Sequence, residues 1–251
     1  MNPRFNDDVI KGFYKEDYYN GIADYSYCDE RGFEKYAFYV WNRRIKKIAS
    51  YVGKGNFLDI GSAFGGFLKA ASRCFCPYGI ELSEFSGYYS KKIFGDSIHI
   101  GQLNDHPFQA DFFSVITMIE LLEHITDPVS VIKECYRLLE KKGLLVIQTA
   151  NMDGMQARIL KYRYGYYLPC HISYFSRENL TRLLQQEGFK KIIIFQPVEF
   201  GLLPKLLKSS YNFHSIFDYY KWLRIALYHY MSKIRYNSFS FTSSMVVYAF
   251  K

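Results

Sequence analysis

Apolar positions recur along this chain in two rhythms that alternate. From Gly32 onward, Phe33, Tyr36, Ala37, Val40, Trp41, Ile45 and Ile48 return every three or four residues, which predicts a helix over roughly 33–51. A short apolar run, Phe57-Leu58-Asp59-Ile60, then reads as a strand, and Phe67-Leu68-Lys69-Ala70-Ala71 opens a helix. Tyr78-Gly79-Ile80-Glu81-Leu82 reads as a second strand and 97–103 as a third. Residues 111–119 form a fourth, apolar on both faces as a central parallel strand should be. Asp127-Pro128 starts a helix, with Asp127 as cap and Pro128 in its first turn. That helix is expected to run through Ile132, Tyr136, Leu138 and Leu139 to Lys141-Lys142-Gly143, where basic residues and glycine end it.

A fifth strand is expected over 144–151. Residues 152–175 read as a long connection rich in tyrosine: Tyr162, Tyr164, Tyr166, Tyr167 and Tyr174. Ser176, with Glu178 and Asn179 behind it, begins a helix that ends at Gly188, and 191–195 is a sixth strand. Residues 199–236 look helical, and 244–250 closes as a seventh strand. The domain therefore spans 51–251, with 1–50 as an N-terminal helical cap or lid and 199–236 as a helical insertion between the last two strands.

The stretch with most chemical content is Asp59-Ile60-Gly61-Ser62-Ala63-Phe64-Gly65-Gly66. Strand, tight glycine turn and helix are the opening of an α/β nucleotide-binding domain. Gly61 and Gly65 let backbone approach a ligand because no Cβ stands in the way. A dinucleotide site wants G-x-G-x-x-G, and the spacing here is different. Asp59 would repel a pyrophosphate but receive an ammonium group. A ligand joining a nucleoside to an amino acid, S-adenosylmethionine, suits the loop better. Glu81, 22 residues beyond Asp59 at the end of the second strand, is placed to accept both ribose hydroxyls.

These residues resemble the first motif of the class I S-adenosylmethionine-dependent methyltransferases, D-x-G-x-G-x-G, with Ala63 in place of the middle glycine. Tyr78-Gly79-Ile80-Glu81-Leu82-Ser83 is similar to the second motif. Glu120-Leu121-Leu122-Glu123-His124 resembles the E-x-x-E-H form found in ubiquinone-biosynthesis O-methyltransferases and small-RNA 2′-O-methyltransferases, and His171-Ile172-Ser173-Tyr174-Phe175-Ser176 is again similar to that group. The resemblance covers about 30–195 well and the ends poorly.

It implies a Rossmann-like, mostly parallel seven-stranded sheet in the order 3-2-1-4-5-7-6, helices on both faces and the last strand antiparallel. It also implies a cofactor site of Asp59, Gly61, Ser62, Gly65, Glu81, Leu82, Gln102, Leu103 and Glu120, with Gln102 toward the adenine amino group. His124 and His171 are the expected catalytic bases. Glu120, Glu123, His124 and His171 form a candidate ligand set for Mg²⁺, which would lower the pKa of an acceptor hydroxyl. The opposing expectation is that Glu120 touches the cofactor while Glu123 and His124 only organise a helix start. The expected reaction is O-methylation of a small molecule or glycan. A metal-dependent RNA 2′-O-methyltransferase and a non-catalytic S-adenosylmethionine-binding protein are the alternatives.

Composition narrows the partners. With 251 residues, 49% of them hydrophobic, a sizeable core is available and wholesale disorder is excluded. A net charge of +8 points to an anionic partner (nucleic acid, a nucleotide-linked sugar, a membrane surface) or simply to a solvated basic surface, since the charges are scattered. No separate RNA-binding module is visible. Cysteines stand at 28, 74, 76, 135 and 170; the odd number and the lack of a C-x-x-C pair predict a reduced, cytoplasmic setting. The N-terminus lacks the apolar core of a signal peptide, and no run of 18 apolar residues suggests a span. Residues 217–235 combine aromatics with Lys221, Arg224, Lys233 and Arg235. That segment is expected either to touch headgroups or to pack on its own domain or on a second copy in a homodimer.

Overall fold

The computed structural model describes Gly12 and residues 29–195, 199, 201–236 and 239–251. Apart from Gly12, the part of the expected N-terminal cap before Asp29, Cys28 included, lies outside the described residues. Seven strands form one sheet: β1 (Asn56–Ile60), β2 (Cys76–Glu81), β3 (Ile98–Ile100), β4 (Phe113–Ile119), β5 (Leu139–Ala150), β6 (Lys191–Phe195) and β9 (Ser244–Phe250). Their spatial order is β3-β2-β1-β4-β5-β9-β6, the order the resemblance implies. β1 to β5 pair in parallel, and β9 runs antiparallel between β5 and β6. A separate two-stranded ribbon joins β7 (Arg235–Tyr236) to β8 (Phe239–Ser240).

Alternate residues of each central strand point to opposite faces, and each face has its own helices. On one side Leu58, Ile116, Leu145 and Val247 pack against Ile132 and Leu138 of α4 (Pro128–Leu138) and Leu180 and Leu184 of α6 (Arg177–Gln186). On the other, Phe57, Val115, Leu144 and Val246 meet Ile45 and Ile48 of α1 (Glu34–Val52) and Phe67 and Leu68 of α2 (Gly66–Ala71). Ile45 and Ile48 are fully buried. Each contributes about 1.5–3 kcal/mol of burial, so α1 is a layer of the core as well as a cover. α3 (Glu84–Phe94) follows β2, and α5 (Met155–Leu160) interrupts the tyrosine-rich connection.

The caps read from sequence are present. Asp127 Oδ1 accepts the Ser130 N–H at 3.1 Å, and Ser176 and Asn179 form a reciprocal capping box. Three boundaries differ. The third strand stops at Ile100: Gly101 makes the last rung to β2, its N–H donating to the Glu81 carbonyl at 2.9 Å, and the chain bends there. Asp111 and Phe112 precede the fourth strand, with Asp111 in a left-handed conformation. Most clearly, α4 ends at Leu138, and 139–143 is an irregular start of β5. Leu139 pairs with Phe113, the register shifts before Leu144 meets Val115, and Lys142 takes φ 68°. Pairing of buried Leu139 outweighs the local cap signal of Lys-Lys-Gly.

The insertion is broken rather than continuous: α7 (Leu202–Ser209) and α8 (Tyr220–Met231) flank 3₁₀ turns at Ser210–Asn212 and Ile216–Tyr219. Ser215 and Asp218 cap the second turn reciprocally, which restarts the helix. Among the described residues, no helix is long and apolar enough to cross a membrane.

Candidate active site

The sheet order reverses between β1 and β4, so their carboxyl ends bound the crevice where open α/β sheets bind ligands. After β1, Gly61 turns at φ 78°, and the N–H groups of Gly61 and Ser62 both reach the Ile80 carbonyl, at 2.8 and 3.2 Å. Ala63 adopts φ 45°, a left-handed conformation costing about 1–2 kcal/mol for a residue with a Cβ. Its N–H donates to Glu81 Oε2 at 2.7 Å, a charge-assisted bond that offsets this cost. Gly65 sits at φ 79°, where an added Cβ would stand 2.8 Å from both the Phe94 ring and Ser90 Oγ. Ser62 Oγ is buried on this loop with no hydrogen-bond partner, a polar atom that a ligand can satisfy.

Asp59 is buried behind the loop and accepts the Thr117 hydroxyl at 2.6 Å. Burial pushes its carboxyl up to about 7; the Thr117 bond opposes the rise and the Glu81 charge adds to it. Glu81 is buried too, and its second oxygen accepts the Ser83 N–H at 2.9 Å. Its role in the fold is thus to lock the loop. A carboxylate has about four acceptor sites, so ribose contact is compatible with that role. Leu82, Gln102 and Leu103 follow the carboxyl ends of β2 and β3, where Leu103 packs on the core.

A cavity of about 710 Å³ runs from Asp59 and the glycine loop toward the carboxyl end of β4, roofed by α1 and α7. Glu120 stands on its wall with φ 53°. Its Oε1 accepts from Gln148 Nε2 at 2.7 Å, and Gln148 Oε1 accepts from Arg44 Nη2 at 2.6 Å. Arg44 Nε then donates to Glu199 Oε1 at 2.5 Å, and the Tyr248 hydroxyl to Glu199 Oε2 at 3.1 Å. Five side chains from α1, the sheet and the insertion thereby form one chain of hydrogen bonds.

The two histidines meet farther along. His171 Nδ1 lies 2.8 Å from the Tyr166 carbonyl, and His124 Nδ1 lies 3.1 Å from the Cys170 carbonyl. A carbonyl only accepts, so each Nδ1 carries the hydrogen. For His171 this leaves Nε2 as an acceptor on a residue that lines the cavity. The rings pack edge to face with centroids 4.6 Å apart. Burial lowers the pKa of both; His124 falls to about 3, with His171 contributing. Glu123 is buried, accepts the Thr149 hydroxyl at 2.9 Å and is raised by burial to about 7.

The expected metal set does not assemble in this arrangement. Among the described residues, the donor atoms that come within 4.8 Å of one another belong to His124, Cys170 and His171. Glu120 is engaged by Gln148 and Glu123 by Thr149. Mg²⁺ requires oxygen ligands in octahedral array, and two imidazoles with a thiol that burial keeps protonated do not fit it.

Tyr166 of the tyrosine-rich connection lines the cavity, and so do Arg44, Gln148, Glu199 and Lys205, which the pattern reading passed over. Two carried a signal. Gln148 is a polar residue inside the apolar run 144–150, and Arg44 falls on the apolar stripe of its helix between Trp41 and Ile48.

Fold, loop and cavity define an α/β enzyme built to hold a nucleoside joined to an amino acid. A family model described as a methyltransferase domain matches residues 33–193. The chain belongs to that family: it is a class I S-adenosylmethionine-dependent methyltransferase. It is similar to an uncharacterized protein of Methanocaldococcus jannaschii, 23% identical over 162 residues that cover 63% of this chain and 76% of the relative. A ubiquinone biosynthesis O-methyltransferase of Haemophilus ducreyi is 44% identical over 50 residues, 20% of this chain and 21% of that enzyme. The match thus spans about a fifth of the enzyme. Phosphoethanolamine N-methyltransferase 2 of Haemonchus contortus, solved with S-adenosylmethionine, superposes with a TM-score of 0.60 at 16% identity, over 96% of this chain and 60% of that one. At that identity the likeness shows the shared fold.

Proposed function

We propose that the protein methylates a hydroxyl group of a small-molecule or glycan acceptor, with His171 as the base. The observation that carries this reading is the ring of His171, fixed through Nδ1 on the Tyr166 carbonyl and lining the cavity with Nε2 as acceptor. A hydroxyl that attacks a methyl group must lose a proton, and a positioned imidazole takes it. Burial lowers the pKa of His171 and so keeps it neutral and basic near pH 7. His124 packs against it and acts as a positioning residue.

S-adenosylmethionine supplies an electrophilic methyl group on a positively charged sulfur. Asp59 is placed to receive its ammonium group, and Gly61, Ser62, Gly65 and Glu81 to hold its nucleoside side. Leu82, Gln102 and Leu103, past the ends of β2 and β3, would flank the adenine, and Glu120, on the cavity wall, would meet the amino-acid end. The short match to a ubiquinone biosynthesis O-methyltransferase supports an oxygen acceptor. The RNA reading drew on a carboxylate-rich metal set, which the donor group His124, Cys170 and His171 does not provide.

The test is methyl transfer from labelled S-adenosylmethionine to parallel panels of phenols, sugars and matched amines. Label on the hydroxyl acceptors, lost in His171→Asn while cofactor affinity is kept, supports the proposal. Label on amines alone, or cofactor binding with no transfer to either panel, rejects it.

A further inference from the structure

We propose that the outer face of α8 docks on anionic lipid headgroups. Ile216, Tyr220, Leu223, Leu227, Tyr230 and Ile234 follow one another at alternating steps of four and three residues. Within α8 that spacing places Tyr220, Leu223, Leu227 and Tyr230 in one stripe; Ile216 lies in the 3₁₀ turn before the helix and Ile234 just beyond its end. All six are exposed, Ile216 at 78%, Leu223 at 73% and Leu227 at 60%. Phe217, 80% exposed, adds apolar surface in the same turn as Ile216. The opposite side faces the protein: His229 is buried, and Trp222 packs against Phe213 and Tyr219. A single isolated surface leucine needs no explanation, but a contiguous apolar stripe on a helix marks a contact surface.

The charges around the stripe select the occupant. Between 213 and 234 the one carboxylate is Asp218, bound to Lys221 at 2.7 Å and to two backbone N–H groups. Arg224 and Lys233 are exposed beside the stripe. A second copy docked stripe to stripe would bring these cations against their own counterparts, with no carboxylate to answer them. Phosphate headgroups answer them directly, while the rings and branched chains enter the acyl boundary. This is the pattern of a helix lying in the interface plane. Tyr164 and Tyr228 both bond Ser243, which ties the segment carrying exposed Ile159 and Tyr162 next to α8. α8 therefore presents its apolar side with further apolar surface nearby.

The experiment is flotation of the full chain with phosphatidylcholine vesicles, with and without phosphatidylglycerol, at low and high salt. The expected result is binding to the phosphatidylglycerol vesicles alone, weakened by salt. Leu223→Ser with Leu227→Ser should abolish it. Arg224→Gln with Lys233→Gln should reduce it about thirtyfold, at the usual gain per basic residue near an anionic surface. Both variants should keep the wild-type affinity for S-adenosylmethionine, which shows that they fold. Wild-type protein that stays in the soluble fraction at low salt overturns the proposal. So does flotation that survives loss of Leu223 and Leu227, or a dimer in sedimentation that the leucine variant converts to monomer without any vesicle binding.

Discussion

His171 and Tyr166 are joined by a 2.8 Å hydrogen bond from imidazole Nδ1 to the backbone carbonyl. The bond fixes the tautomer, so Nε2 is the basic atom whatever the neighbouring ring does. Removing a positioned base costs about 10²–10⁴-fold in rate. His171→Asn should therefore lose that much kcat while its affinity for S-adenosylmethionine holds. Burial lowers the pKa of His171 below the ordinary 6.5. The base must be neutral, so kcat should rise with pH along an acid limb centred below 6.5. A limb centred above that value in a pH–rate profile would assign the proton to another group.

Asp59 offers a test of opposite sign. Its carboxyl is raised from 3.8 to about 7 in the folded protein. At acid pH, below the unfolded pKa, both states hold the proton and the shift has no effect. As pH rises from 3.8 through 7, the unfolded chain releases its proton first and the folded domain loses stability relative to it. Above 7 that loss is complete. Asp59→Asn should therefore gain thermal stability over wild type as the pH is raised, in the ligand-free protein. The same substitution removes the partner proposed for the cofactor's ammonium group. It should weaken S-adenosylmethionine binding by about 1–3 kcal/mol, and it should flatten the rise in affinity with pH expected of the wild type, with calorimetry as the measurement for both. A variant with unchanged affinity would place the ammonium group elsewhere.

These two residues differ in how far they were legible from sequence. The glycine loop is local: Asp59, Gly61 and Gly65 lie within seven positions, and Glu81 one strand later, so spacing alone groups them. Even there, sequence could not show that Ala63 takes a glycine-like φ and that Glu81 holds it there. The order of the sheet followed from the resemblance. The start of β5 did not, because Lys141-Lys142-Gly143 carries the local chemistry of a helix end while the pairing of Leu139 with Phe113 is a tertiary fact. The cavity network was hidden for the same reason: Arg44 and Glu199 are 155 residues apart. The four residues expected to bind a metal were close in sequence or family pattern, yet while His124 and His171 meet, Glu120 is held by Gln148 and Glu123 by Thr149.

Exhaustive chelation tests that last point. With Glu120 bound to Gln148 and Glu123 to Thr149, no carboxylate among the described residues joins the imidazoles to make an oxygen-rich site. Methyl transfer should be unchanged by EDTA and not stimulated by added Mg²⁺. Loss of activity on chelation, restored by Mg²⁺ alone, would show that the carboxylates rearrange when substrates bind.

Arg44 and Glu199 tie α1 to the segment after β6 through an ion pair of 2.5 Å, with side chains only 6% and 2% exposed. Such a pair contributes little beyond what apolar residues of the same size would, but breaking it leaves a charge without its partner. Glu199→Ala should therefore destabilise the fold by about 3–5 kcal/mol in denaturant titration. The strain would spread, since Lys205, already lowered to about 8 chiefly by burial, loses the Glu199 charge that opposes the shift. Arg44→Met combined with Glu199→Met should recover most of the stability. It should not recover function to the same degree, because Arg44 also donates to Gln148, which holds Glu120 on the cavity wall. A stable double variant with weakened S-adenosylmethionine binding is thus the expected outcome, and the double-mutant cycle separates the two roles. A cost for Glu199→Ala of only about 0–1 kcal/mol, the range of exposed pairs, would mean that water reaches the pair and that the apolar packing of α1, with Ile45, Ile48 and Trp41, holds the helix without it.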